Sequence, residues 1–265
     1  MIEYNIYKNG CMRMLTMSFD DGQINDRRLI ELLNKYGIKA TFNINNSYPG
    51  DEWHVSKDEI KQVYEGHEIA VHTANHPWLD NLSPTTIINE ILDNRKFLEE
   101  ASGRIVRGMA YPFGPTNEEV ISIARHCGVV YSRAAESTYK FDLPRDFMEW
   151  HPTCHFKQGK DVIPQFINNL DSAWATGVLY IWGHSFELDT EEKWENFEKL
   201  CEYVANKEQI WYATNIEIYD YITAQRALQF TADESMVYNP TQTNVWIRVD
   251  KKPYKIGAGE TVVLK

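Results

Sequence analysis

A chain of 265 residues, 43% of them hydrophobic, can bury a full core, which excludes global disorder and leaves room for one large α/β domain and a small appendage. The formal charge of −11, from 38 acidic against 27 basic residues, argues against nucleic acid or an anionic membrane as the main partner. No apolar run is long enough to span a bilayer, and Met1 to Gly10 lacks the basic-then-apolar layout of a signal peptide, so a cytoplasmic protein is the expectation, although a chain trimmed of its leader would read the same.

Met14 to Phe19 reads as a short buried strand stopped by Asp20-Asp21-Gly22. Asn25 to Tyr36 carries Leu29, Leu32 and Leu33 at helical spacing and ends at Gly37. Lys39 to Ile44 is a strand, and Ser56 to Glu65, opening on a capping box, is a helix. After the strand Glu68 to Val71, Ser83-Pro84 starts a long helix to Ala101, with Ile87, Ile88, Ile91, Leu92 and Leu98 inward. Strand Ile105 to Ala110, helix Thr116 to Cys127 (capped by Thr116) and strand Val129 to Ser132 follow. Helix Asp161 to Trp174, strand Val178 to Trp182, helix Thr190 to Ala205, strand Ile210 to Ala213 and helix Ile216 to Leu228 complete the series. Such alternation means parallel βαβ units, and seven or eight of them fit a closed barrel better than an open sheet, though periodicity alone does not settle which. The pattern then changes. Residues 1–230 read as the α/β domain, and 231–265, with β-prone runs at Val245 to Val249 and Thr261 to Leu264, as a small antiparallel β appendage docked on it. Cys11, Cys127, Cys154 and Cys201 form no Cys-x-x-Cys pair and read as free thiols.

Four pieces could do chemistry, and each lies just past the C-terminal end of a predicted strand. Adjacent carboxylates at Asp20 and Asp21 are costly beside a buried strand unless a metal, or a division between one ligand and one base, offsets their charge. His72 and His76 are four apart, but no Glu follows His72 and Pro77 pushes His76 out of the α region, so the pair sits on a loop. Imidazoles beside a carboxylate suit zinc or a similar divalent ion; alone the pair is a weak signal, and beside Asp20-Asp21 it becomes a candidate three-ligand site. Tyr111-Pro112-Phe113-Gly114 is either an ordinary turn or one that aims a backbone N–H at an oxyanion. His184, after another strand, is either a satisfied core histidine or a general acid. In a parallel barrel these ends share one mouth, where active sites lie.

Thr-Met-Ser-Phe-Asp-Asp-Gly, then His-Thr-Ala-Asn-His-Pro, then Tyr-Pro-Phe-Gly, then a late strand ending in His, resemble in order and spacing the polysaccharide deacetylases of carbohydrate esterase family 4. The resemblance covers roughly residues 12 to 222. It implies a distorted (β/α) barrel of about seven parallel strands that removes acetyl groups from an acetylated oligo- or polysaccharide with one divalent metal ion, zinc being the expectation. Asp21, His72 and His76 would hold the metal, Asp20 would be the general base on the attacking water, the Phe113 N–H would stabilise the oxyanion and His184 would protonate the leaving group. Pro112, Trp182 and Trp78 would line the substrate site.

The chain departs from that family in three places. Ala110 stands where the family usually has an arginine orienting the catalytic Asp; Arg133, at the end of the next strand, is a candidate replacement. The family's fourth motif has its counterpart in Asp146-Phe147-Met148-Glu149-Trp150, with Glu149 as the acid tuning His184. Trp182 replaces a smaller aliphatic residue, and Glu187, three after His184, is either another acid near the mouth or, the more usual case, a solvated loop carboxylate. Trp53, Tyr48 and Tyr139 are further loop aromatics, mostly explained by partial burial; His155 has no partner pattern. The competing readings are a deacylase or deformylase of a small amide or glycolipid, and a carbohydrate-binding protein on a disabled scaffold.

Overall fold

The computed structural model describes residues 1–46, 51–170 and 176–264, so Tyr48 and the end of the helix expected to reach Trp174 lie outside the described residues. The strands in chain order are β1 (Ile2–Glu3), β2 (Arg13–Asp20), β3 (Ala40–Ile44), β4 (Glu68–Val71), β5 (Gly108–Ala110), β6 (Tyr131–Arg133), β7 (Cys154–His155), β8 (Gly177–His184) and β9 (Ile210–Tyr212). Between them run helices α1 (Asp26–Lys35), α2 (Ile60–Val63), α3 (Pro84–Ser102), α4 (Glu118–His126), α5 (Val162–Asn168) and α6 (Glu191–Val204), with α7 (Asn215–Arg226) after β9. Among the described residues, no helix is long and apolar enough to cross a membrane.

β2 to β9 form one parallel sheet in the order β6-β5-β4-β3-β2-β8-β7, with β9 also paired to β2. The sheet curls until its edges approach: Trp150 makes a parallel bridge with Arg133 of β6, and four residues later Cys154 pairs with Ile181 of β8. One short irregular segment therefore spans the gap, which makes the barrel distorted, as the resemblance implies.

The period of two along each strand sorts side chains into two environments. Leu15, Met17 and Phe19 of β2, Phe42 of β3 and Leu179 and Ile181 of β8 face outward into one apolar cluster with α1 (Leu29, Leu33), α3 (Ile91, Leu98) and α6 (Phe197, Cys201). The alternate positions face the lumen, where polar residues prevail: Thr16, Ser18 and Asp20 on β2, Thr41 and Asn43 on β3, Tyr180 on β8, and Tyr131 and Arg133 on β6. These buried groups partner one another: Thr16 Oγ1 donates to Asn215 Oδ1 (2.8 Å), and the Asn215 N–H donates to Thr41 Oγ1 (3.0 Å).

The lower end of the lumen is sealed by apolar residues. Met14, Trp150 and Tyr180 join Ile218 and Ile222 of α7 and Val237, Val245, Ile247, Ile256 and Leu264 of the C-terminal tail in a second cluster. The tail comprises β10 (Gln229–Phe230), β11 (Met236–Tyr238), β12 (Val245–Val249), β13 (Lys252–Ile256) and β14 (Thr261–Val263), in two antiparallel sheets. One of these, β1-β12-β13, takes its edge strand from the N-terminus, a pairing the sequence reading did not anticipate. The Gln225 amide ties the three parts together by donating to Ile6 O (2.8 Å) and Trp246 O (2.7 Å).

Several local expectations change. The Ser56–Glu59 capping box forms, but most of the expected helix is one 3₁₀ turn and the single turn α2. Asn117, not Thr116, caps α4: its side chain accepts from the Val120 N–H at 2.9 Å. Ile88 and Leu92 are exposed on α3, whose inward face carries Glu90 and Asn94 alongside Ile87, Ile91 and Leu98.

Candidate active site

Strand register brings the first residues together. Asp20 is the last residue of β2; its neighbours across the sheet are Asn43 on β3 and His184 on β8. All three lie in one row at the mouth. The chain then turns sharply: Asp21 has φ 79° and Gly22 φ 67°, and a Cβ on Gly22 would stand 2.8 Å from Ile44 Cγ2, so glycine is required there. The turn swings Asp21 out of the row, with its N–H donating to Asn43 O at 2.9 Å.

His72 is buried just past β4. Its Nδ1–H donates to Ala110 O (2.9 Å) and its backbone N–H to Asn94 Oδ1 (2.9 Å). The carbonyl fixes the tautomer and leaves a lone pair on Nε2. That nitrogen lies 3.1 Å from His76 Nε2 and 3.6 Å from Asp21 Oδ1, and His76 Nε2 is also 3.6 Å from Asp21 Oδ1. Donors about 2.1 Å from a tetrahedral ion stand about 3.4 Å apart, so these three atoms fit one small divalent cation. Burial and the neighbouring His72 hold His76 below its ordinary pKa, which keeps a lone pair available. The loop is fastened from α3: Glu90 accepts from the Asn75 N–H (2.8 Å) and the Asn75 amide (2.7 Å). Sequence reasoning missed Glu90 and Asn94; the available signal was two polar residues four apart on an otherwise apolar helix face.

Asp20 stands outside that group. Its Oδ2 is in ion contact with the Arg133 guanidinium and its Oδ1 accepts from Asn43 Nδ2 at 2.8 Å. Both residues of the ion pair are buried. The Arg133 guanidinium lies over the Trp182 ring, 4.4 Å from its centroid, so the tryptophan supports it from behind. Burial alone would raise the Asp20 pKa; Arg133, His72, His184 and Asn43 outweigh it and hold the carboxyl at about 2.

His184 faces the two aspartates, with Nε2 3.9 Å from Asp20 Oδ2 and from Asp21 Oδ2. Its Nδ1–H donates to Glu187 Oε1 at 2.7 Å. The same oxygen accepts from His155 Nε2 (3.1 Å), and Lys157 is in ion contact with Oε2. Burial opposes protonation of His184, but Glu187, Asp20 and Asp21 raise its pKa on balance. Glu149 does not have the expected place. It is exposed on a 3₁₀ turn, because Phe147 and Met148 take the inward positions, and Glu187 is the carboxylate on His184. Glu187 is therefore no solvated loop acid, and His155 has a partner. A turn of three residues after His184 brings the carboxylate back onto the ring, a contact no pattern in the chain announces.

Pro112 is buried and Phe113, at φ 62°, is half exposed. The Phe113 ring packs edge-on against His76 (4.6 Å between centroids) and stacks flat on Trp78 (4.3 Å, 8° between planes). On the opposite side Trp182 and Phe186 flank His184 at 5.7 and 5.0 Å.

Fold and site together define a parallel α/β barrel carrying a two-histidine, one-aspartate donor group at its C-terminal mouth. Residues 8–132, just under half of the chain, match the family model for polysaccharide deacetylases, the family whose motifs the sequence resembles. It is 26% identical over 120 residues to a chitooligosaccharide deacetylase of Bradyrhizobium sp. (44% of this chain, 53% of that protein). It is 30% identical over 120 residues to a peptidoglycan-N-acetylglucosamine deacetylase of Bacillus cereus (44% of this chain, 54% of that protein). The chain thus spans about half the length of these two curated relatives. A family 4 carbohydrate esterase from Bacillus anthracis superposes with a TM-score of 0.56 at 14% identity, covering 83% of this chain and 86% of that one, a likeness of fold.

Proposed function

We propose that this chain is a metal-dependent hydrolase that removes acetyl groups from an N- or O-acetylated carbohydrate. The observation that carries the reading is the division of the adjacent aspartates: Asp21 faces His72 and His76, whereas Asp20 is turned to Arg133 and Asn43. The names of the chitooligosaccharide and peptidoglycan deacetylases support the reaction class.

Asp21, His72 and His76 would hold the ion, and two imidazoles with one carboxylate favour zinc. A divalent cation there supplies Lewis acidity, which makes water a usable nucleophile near neutral pH and polarises the acyl carbonyl. Asp20, kept ionised by Arg133, accepts the proton of the attacking water. Arg133 holds Asp20 Oδ2, the oxygen that lies 3.9 Å from the Nε2 atoms of His72 and His184, and Asn43 holds Oδ1. The Phe113 N–H is the donor for the developing oxyanion. His184 delivers a proton from Nε2 to the departing amine or hydroxyl, and Glu187 holds its ring by Nδ1. Trp182, Pro112 and the Trp78–Phe113 pair form the walls against which the sugar and its acetyl group rest.

The test is acetate release from acetylated chito- and xylo-oligosaccharides, with and without chelator, beside elemental analysis of the purified protein. Release that stops with chelator and returns with added zinc supports the reading. Bound metal with no release from any acylated carbohydrate would turn it toward a carbohydrate-binding protein.

A further inference from the structure

A groove of about 710 Å³ lies between α5 and α6, on the outer side of the turn that links His155 to the Glu187 carboxylate. Its floor is apolar, made by Ile163 of α5 and Phe197 and Leu200 of α6. Lys157, Lys160, Lys193 and Lys199 line it, and among the described residues no Asp or Glu does, in a chain where acids outnumber bases by 38 to 27. Lys157 is paired with Glu187 and Lys193 with Asp189 (2.6 Å). Lys160 and Lys199 have no ion pair among the described residues. The two ammonium groups without an ion pair, Lys160 and Lys199, stand beside one concave apolar surface and raise the local concentration of anions there.

We propose that this groove is a binding site for a monomeric long-chain carboxylate, its acyl chain seated on Ile163, Phe197 and Leu200 and its head group among the lysines. An extended peptide would bring backbone N–H and C=O groups needing partners, and the neutral polar side chains on the wall are only Asn196 and Tyr203. An acyl chain brings no such groups. A membrane surface would meet a flat or convex face, whereas this one is concave and of a volume ordinary for a small-molecule site. The groove opens outside the mouth and touches it only through Lys157, which is ion-paired to the Glu187 carboxylate on His184; the proposal does not rest on the reaction at the mouth.

Isothermal titration of the full chain with dodecanoate tests the proposal, with a neutral dodecyl poly(ethylene glycol) ether and mixed phosphatidylglycerol–phosphatidylcholine vesicles as comparison arms. The expected result is one dodecanoate bound per chain, with the neutral ether about tenfold weaker or worse. Lys160→Glu with Lys199→Glu should weaken dodecanoate about tenfold or more, and Leu200→Trp, which fills the floor, should abolish binding. The lysine pair is exposed, so that variant keeps the test open should the tryptophan disturb folding. Equal binding of the neutral ether would overturn the proposal, as would unchanged affinity in the lysine variant. Binding of the vesicles with none of monomeric dodecanoate would assign the lysines to a lipid surface instead and likewise overturn it.

Discussion

The mouth and the floor of the barrel use the same strands a few residues apart. β4 begins at Glu68 below and leads into His72 just past its end above, β6 has Arg133 above and Tyr131 below, and β8 has His184 above and Tyr180 below. At the floor every oxygen of Glu68 has a donor: Thr41 Oγ1 (2.8 Å) and the Ile216 N–H (2.9 Å) on Oε2, Tyr131 Oη (2.7 Å) on Oε1. At the mouth Asn43 Oδ1, Arg133 Nε and Trp182 Nε1 are buried with no hydrogen-bond partner among the described residues. The backbone differs in the same sense. Asp21, Thr73, His76 and Phe113, all on mouth loops, hold left-handed conformations, and for a β-branched threonine that is a costly one. The floor satisfies the Glu68 carboxylate, although Trp150 Nε1 and Arg13 Nε are also buried with no hydrogen-bond partner among the described residues; the mouth combines such unpartnered atoms with left-handed backbone, where a ligand can use them.

The largest effect should come from removing one partner of the buried ion pair at the mouth. Arg133→Met leaves Asp20 buried and uncompensated, so acetate release should fall at least about a hundredfold and unfolding free energy by roughly 3–5 kcal/mol, read by denaturant titration. A loss below about 1 kcal/mol would mean that Arg133 does not hold Asp20. Glu187→Gln keeps the hydrogen bond to His184 but removes the charge, and should lower kcat about tenfold with little change in KM. An equal effect on KM would place Glu187 in binding instead.

At the floor the expected effect is on stability alone. Burial outweighs three donors and pushes the Glu68 pKa from 4.5 to about 7. The folded chain then binds a proton that the unfolded chain releases between these values. Stability should therefore fall as pH rises from about 4.5 to about 7, by at most about 3 kcal/mol from this group. Glu68→Gln should flatten that part of the pH–stability curve and leave turnover unchanged. Asp26, also buried and raised to about 7, contributes in the same direction and should keep the remaining slope. The smallest effect belongs to the rim: Trp78→Ala loses one flat aromatic contact with Phe113, about 0.5–1.5 kcal/mol, measured by thermal melting.

Much of the mouth was legible in the sequence because its groups come in short contiguous runs at strand ends. Asp20-Asp21-Gly22, His72 to His76 and Pro112-Phe113 each carry their turn chemistry with them. Arg133 could be suspected only because Ala110 left a charge unmatched. Glu187, His155 and Lys157 could not be read, since their meeting depends on how two loops fold back on β8. Glu149 was misplaced for the converse reason: a motif position was carried over, but the apolar neighbours Phe147 and Met148 decide which way the turn faces. The floor was the least legible part. Thr16, Thr41, Asn215 and Glu68 are single polar residues far apart in the chain, and only the curling of the sheet reveals that they share one lumen. The N-terminal strand β1 is two residues long, too short to announce its pairing with β12.

Metal content and acetate release measured together on Asp20→Asn and Asp21→Ala test the division of the two aspartates most directly. The account predicts that Asp20→Asn keeps about one divalent ion per chain and loses turnover, while Asp21→Ala loses both. An Asp20→Asn protein that sheds its metal, or an Asp21→Ala protein that keeps metal and activity, would contradict it.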